Sequence, residues 1–165
     1  MPHDMLTGFF GADAGASSAY QTARSLRFNA ADSPYLNFTP GASNRDAWTL
    51  WFPLKRAGLG ITATLLSADS TSDDRIYFNS SDQLCIDIAG TTRLVSTEPF
   101  RDPAAWGMLR IVYDAANGTA ANRLRVFKDA REITVWGTDT RSGISTGTAK
   151  IGHTVVHNLG RRLNG

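Results

Sequence analysis

A chain of 165 residues with 42% hydrophobic side chains has the length of one ordinary domain, enough to bury a core and too apolar for a disordered tail. Seventeen basic against fifteen acidic residues leave +2, too mild for a phosphate-gripping protein, and no apolar run reaches the roughly 18 residues of a membrane span. No nucleic-acid partner and no membrane insertion are therefore expected. Cys85 is the lone cysteine, which excludes an internal disulfide and a cysteine-built zinc site.

The kinds of polar residue say more than their charge. Glutamate occurs only at Glu98 and Glu132, and lysine only at Lys55, Lys128 and Lys150. These residues usually cover helix surfaces. Thr, Ser, Asn and Gly fill about a third of the chain instead, which favours short strands and turns.

The start, Met1-Pro2-His3-Asp4, lacks the basic and apolar regions of a signal peptide, so synthesis in the cytoplasm is expected. Residues 1–24 form an arm. Its Ala, Gly and Ser content suits a flexible tail, whereas Leu6, Phe9 and Phe10 would be costly to leave in water and suit docking on a partner. A sandwich domain is expected over 25–165. Ser25–Phe28 and Tyr35–Phe38 read as the first hairpin, around a turn at 31–34. Trp48–Lys55 is apolar on both faces, which predicts a strand covered on both sides, with Pro53 marking an edge or bulge.

Strands follow at Ile61–Ser67, Arg75–Phe78 and Leu84–Ile88, the last two joined by an Asn79-Ser80-Ser81-Asp82 tip. Thr91–Thr97, Trp106–Tyr113, Arg123–Phe127 and Glu132–Trp136 come next. In Arg123–Phe127 the alternation points Leu124 and Val126 inward. Residues 137–148 read as a long polar loop, and the short runs 149–152 and 154–156 end the pattern. No ten-residue segment has a helical period. This spacing predicts an all-β fold, an antiparallel two-sheet β-sandwich or barrel.

Catalytic sets are missing. Sandwich-fold glucanases place several carboxylates on one strand, and Glu98 and Glu132 stand 34 residues apart. Asp73-Asp74 sit in a polar loop. His153 and His157 flank a strand-forming stretch, and four residues of strand span roughly 13 Å, too far for one zinc ion. No catalytic residue, metal ligand or cofactor is expected, and Cys85 reads as a small core residue. Trp48, Trp51 and Trp106 lie in strands, where core packing is the default. Trp136 closes a strand beside Asp139 and Arg141. It reads either as a strand end folded onto the core or as a platform on which a sugar ring stacks.

Four stretches carry a family resemblance: 25–29 with 33–36, Asn44–Leu50 through Lys55-Arg56, Asn79–Asp82, and Phe100-Arg101-Asp102-Pro103-Ala104-Ala105-Trp106 leading to Tyr113-Asp114. Over about residues 24–160 the chain resembles the laminin-G-like, concanavalin-A-like domains of tailed-phage virion proteins. The resemblance implies a jelly-roll sandwich on a virion surface, as a tail fibre, head fibre or capsid decoration. It also implies other virion subunits as partners, a homo-oligomer, and cell-surface glycan adhesion as a further role. The alternative is a free-standing carbohydrate-binding module of an adhesin or hydrolase. Two departures stand out. Lys128-Asp129-Ala130-Arg131 replaces the family's Asn-Gly turn, and the closing strand that the resemblance implies would follow Gly165, after Arg161 and Arg162. Those two arginines are expected at the rim of a subunit contact, beside an edge at 25–38 that another strand or the 1–24 arm would cover. The other reading makes Thr154–Leu159 the closing strand.

Overall fold

The computed structural model describes residues 34–69 and 71–162. The arm with Leu6, Phe9 and Phe10, and the strand expected at 25–28, lie outside the described residues. Eleven strands are described: β1 Leu36–Phe38, β2 Ala47–Leu54, β3 Ala63–Ala68, β4 Asp74–Phe78, β5 Gln83–Ile88, β6 Thr91–Pro99, β7 Gly107–Asp114, β8 Leu124–Lys128, β9 Arg131–Glu132, β10 Trp136–Asp139 and β11 His157–Leu159. They form two antiparallel sheets, one of seven strands in the order β1-β11-β3-β4-β5-β6-β10 and one of four in the order β2-β7-β8-β9. The sandwich expected from the strand spacing is the fold observed.

Period-two alternation builds the core. The large sheet contributes Ile76, Phe78, Leu84, Ile86, Ile88 and Leu94, and the small sheet contributes Leu109, Ile111, Tyr113, Leu124 and Val126. Each of these is at most 1% exposed. Burying one such aliphatic side chain is worth about 1.5–3 kcal/mol. Trp48 stacks on its cross-strand partner Tyr113, with ring centroids 4.9 Å apart.

Three expectations are corrected. First, β2 is not covered on both faces. Its residues alternate between exposed and half-buried, and it is the outermost strand of the small sheet, which is why Pro53 is tolerated there. Second, the strand expected at Glu132–Trp136 is split. The Ile133 N–H donates to the Val126 carbonyl at 2.8 Å, after which the chain leaves the small sheet and pairs Trp136 with Ser96 of the large one. Third, a closing strand is present: β11 pairs with β1 on one side and β3 on the other. Leu36–Phe38 therefore has its partner in His157–Leu159. The far side of β1 has no partner among the described residues.

Loops are tied down by carboxylates. Asp74 is fully buried at the start of β4 and accepts the N–H groups of Ala89 at 2.8 Å, Lys150 at 2.6 Å and Ile151 at 2.8 Å. It thereby pins the 149–151 segment, which is not a strand, so that Ala149 and Ile151 enter the core. Burial outweighs those three donors and Lys150, and pushes the Asp74 carboxyl up to about 6.

Candidate functional site

The residues singled out in the sequence lie toward opposite ends of the seven-stranded sheet, Trp136, Asp139 and Arg141 at its β10 edge and Arg161 and Arg162 just after β11. Trp136 opens β10, is half-buried and packs against the core, so its ring is not offered to solvent. Asp139 and Arg141 neutralise each other. Arg141 Nε donates to Asp139 Oδ1 at 2.9 Å and its Nη2 to Oδ2, while Nη1 donates to the carbonyls of Ala121 and Leu124. With Arg141 only 8% exposed, this is a clamp holding the 3-10 turn at Arg141–Gly143 to the turn at Ala120–Asn122. The arginine beside it holds the Asp139 carboxyl below the usual carboxylate range. Arg162 makes a two-pronged pair with Asp73, at 2.8 and 3.0 Å, and Arg161 lies over the Tyr35 ring at 3.6 Å. Both arginines thus contact this chain's own residues.

The exposed face of the small sheet is where the unspent side chains gather. Trp51 and Trp106 are each 69% exposed, against the expectation that both are core residues. The reason is parity: Trp48 and Trp51 are three apart on one strand, so their side chains point to opposite faces, and Trp48 has the inner one. Along β7 and the residue before it, Trp106, Met108 and Arg110 share the outer parity, while Leu109 and Ile111 point in.

Across the strands, Trp51, Arg110, Phe127 and Glu132 stand opposite one another in a single row. Two adjoining depressions lie here, the first on this outer face and the second at the end of the sandwich, where Leu54 and Lys128 have the inner parity of Leu109. One is lined by Trp51, Thr49, Arg110, Phe127 and Ala130, the other by Trp106, Leu54, Phe100 and Lys128, and Met108 and Asp129 line both. From strand geometry, Trp51 and Trp106 are separated by about one strand spacing sideways and four residues lengthwise, roughly 14 Å. That distance exceeds a single sugar ring and suits an extended ligand.

Backbone and charge shape this face. Phe127 is covered by two guanidinium groups, Arg110 at 4.0 Å and Arg125 at 5.0 Å from the ring centroid. Arg125 is committed to Glu132 through two hydrogen bonds, at 2.9 and 2.6 Å, which hold the Glu132 carboxyl below its ordinary range. The β8–β9 turn puts Asp129 and Ala130 both at positive φ, +50° and +67°, the tight hairpin geometry that Asn-Gly normally serves. Its Asp129 carboxylate accepts the Met108 N–H at 2.7 Å, anchoring the turn beside the platform.

The remaining reactive groups are occupied structurally. His157 is buried, stacks with Phe38 at 5.2 Å and meets the Val155 carbonyl at 2.8 Å; burial lowers its pKa, so it stays neutral. Cys85 is buried, as expected, but its parity is opposite to Leu84 and Ile86, so it lies on the outer side of the large sheet between its cross-strand partners Tyr77 and Val95. Burial pushes its thiol pKa up, away from the reactive thiolate. Glu98 lies next to the last residue of β6 in the large sheet and Glu132 lies in the small one. Among the described residues no group of three or more His, Cys, Asp or Glu is placed to hold a metal ion, and no helix is long and apolar enough to cross a membrane. The chain matches no protein-family model and no curated protein sequence.

Proposed function

We propose that this sandwich is a non-enzymatic surface protein of a virus particle, a fibre or capsid-decoration subunit, that adheres to carbohydrate through the outer face of its four-stranded sheet. In this reading it assembles as a homo-oligomer with other virion subunits. The virion assignment is supported by the sequence resemblance. The carbohydrate assignment is supported by one observation: two tryptophans, each 69% exposed, share a sheet face with Met108, Arg110 and Asp129. Large aromatics left in water in a grouped, polar-rimmed patch mark a binding surface. Flat indoles match the apolar faces of pyranose rings, and the flanking Arg, Asp and Thr side chains offer hydrogen bonds to hydroxyls.

A glycan array probed with the intact chain tests the reading. Binding to a defined sugar class, lost in Trp51→Ala and in Trp106→Ala while both variants keep the wild-type melting temperature, is the expected result. Binding that survives both substitutions refutes this face as the site. Co-purification with virions at a fixed stoichiometry separates a particle subunit from a free-standing carbohydrate-binding module, which would bind sugar and stay off the particle.

A further inference from the structure

We propose that the ligand of this face is an acidic saccharide, and that Arg110 is the residue that recognises its carboxylate; the proposal rests on the carbohydrate reading above.

The contrast between the two arginines on Phe127 carries the argument. Both lie over the same ring from neighbouring strands. Arg125 directs its donors into Glu132. Arg110 is exposed, and no carboxylate or carbonyl among the described residues accepts its N–H groups. Stacking occupies only the flat side of a guanidinium. The in-plane fork of donors remains free, and its geometry matches a carboxylate through two parallel hydrogen bonds. Phe127 also holds the group in place, so little side-chain freedom remains to be lost on binding.

Position adds the sugar. Trp51 is the direct cross-strand partner of Arg110, so the two side chains stand about 5 Å apart at their bases on the same face. A pyranose ring laid on the exposed Trp51 indole would direct a carboxyl substituent on its near edge toward Arg110. The local charge has the matching sign: Arg110 is exposed on this face, Glu132 is held by Arg125, and Asp129 is tied to the Met108 N–H. A neutral glycan offers the Arg110 fork only single hydroxyl acceptors in place of a carboxylate's two parallel ones. An acidic peptide would satisfy Arg110 but has no ring to lay on Trp51.

The test titrates the intact chain, followed by tryptophan fluorescence, with oligogalacturonate, oligoglucuronate and sialylated oligosaccharides. Each is paired with its carboxyl-reduced neutral counterpart. Expected for wild type is a preference of about tenfold or more for one acidic form over its neutral counterpart, as one charge-assisted pair gives. Arg110→Gln removes that preference, bringing the acidic form down to the affinity of its neutral counterpart while melting temperature stays unchanged, and Arg110→Lys restores it only in part. Equal affinity for charged and neutral forms overturns the proposal and leaves the carbohydrate reading standing, as does a preference that survives in Arg110→Gln. Absence of binding by every saccharide overturns both. A poly-glutamate peptide that binds through Arg110 as tightly as the best oligosaccharide assigns the face to an acidic protein and overturns the proposal.

Discussion

Replacing Asp74 separates two effects that meet at one buried carboxylate. Three backbone N–H groups, from Ala89, Lys150 and Ile151, converge on it, and the side chain has no exposed surface. Asp74→Ala leaves all three donors buried without an acceptor. At about 1–3 kcal/mol for each orphaned group, discounted for relaxation, the loss should reach about 3 kcal/mol or more at any pH. Asp74→Asn tests the charge alone, since an amide presents one acceptor oxygen and one donor, as the protonated acid does. Burial raises the carboxyl from 3.8 to about 6, so between those values the folded state binds more protons than the unfolded one. The wild type is then most stable relative to Asn near pH 4 and loses ground as pH rises through 6, by roughly 3 kcal/mol in total. Carboxylates held down in the fold, Asp82 by the Gly60 N–H and then by arginines, Glu132 and Asp139 by arginines, contribute the opposite slope, but equally in both proteins. Urea titrations of wild type and Asn variant from pH 4 to 7 give the difference directly. A wild-type advantage that grows with pH would refute the reasoning, because it would mean the three donors, not burial, set the protonation of Asp74.

Ala130→Gly should raise the urea midpoint by the equivalent of about 0.5 kcal/mol, since relief of a left-handed alanine at φ +67° slightly exceeds the added freedom of glycine in the unfolded chain; a lower midpoint counts against it. Arg141→Ala should cost about 1–2 kcal/mol by calorimetry, because it takes the donors from two carbonyls while Asp139 stays in water, and should leave saccharide affinity per folded molecule unchanged. Trp48→Ala should cost about 3 kcal/mol and Trp51→Ala less than about 0.5 kcal/mol, three residues apart on one strand; similar losses would mean that β2 buries both faces.

The sandwich was legible because alternation survives in β2, β4, β7 and β8, and in β8 Leu124 and Val126 point inward as the pattern requires. The candidate site was half legible. An odd spacing puts Trp48 and Trp51 on opposite faces, and an even one puts Trp106, Met108 and Arg110 on the same face. Treating every strand tryptophan as core overlooked that rule. Cys85 was legible as buried, but not as lying opposite to Leu84 and Ile86. Trp136 misled because the strand through it does not end in the sheet where it began, and the bond from Ile133 to Val126 that marks the departure has no sequence signature. Pairings across the fold were equally silent. Arg162 meets Asp73 from 89 residues away, and Lys150 and Ile151 meet Asp74 from 76 and 77.

The same composition that signals strands also explains how the loops are held. With almost no glutamate and little lysine, the charged pairs are mainly arginine forks on short aspartates. Asp69, Asp82 and Asp129 hold positive-φ turn positions, which aspartate tolerates better than branched or bulky residues do. From such a turn, Asp82 receives Arg56, Arg101 and the Gly60 N–H, joining three segments at one carboxylate. Arg141 and Arg162 close the other loops in the same way. An arginine in this fold is therefore normally a clip, with its donors directed at a carboxylate or a carbonyl. Arg110, like Arg131 and Arg161, directs no donor at a described acceptor, and it lies over Phe127 beside the two most exposed tryptophans. Among the arginines whose forks meet no described acceptor, Arg110 is the one stacked on an aromatic ring beside an exposed tryptophan, which is why the proposed carboxylate contact is placed there.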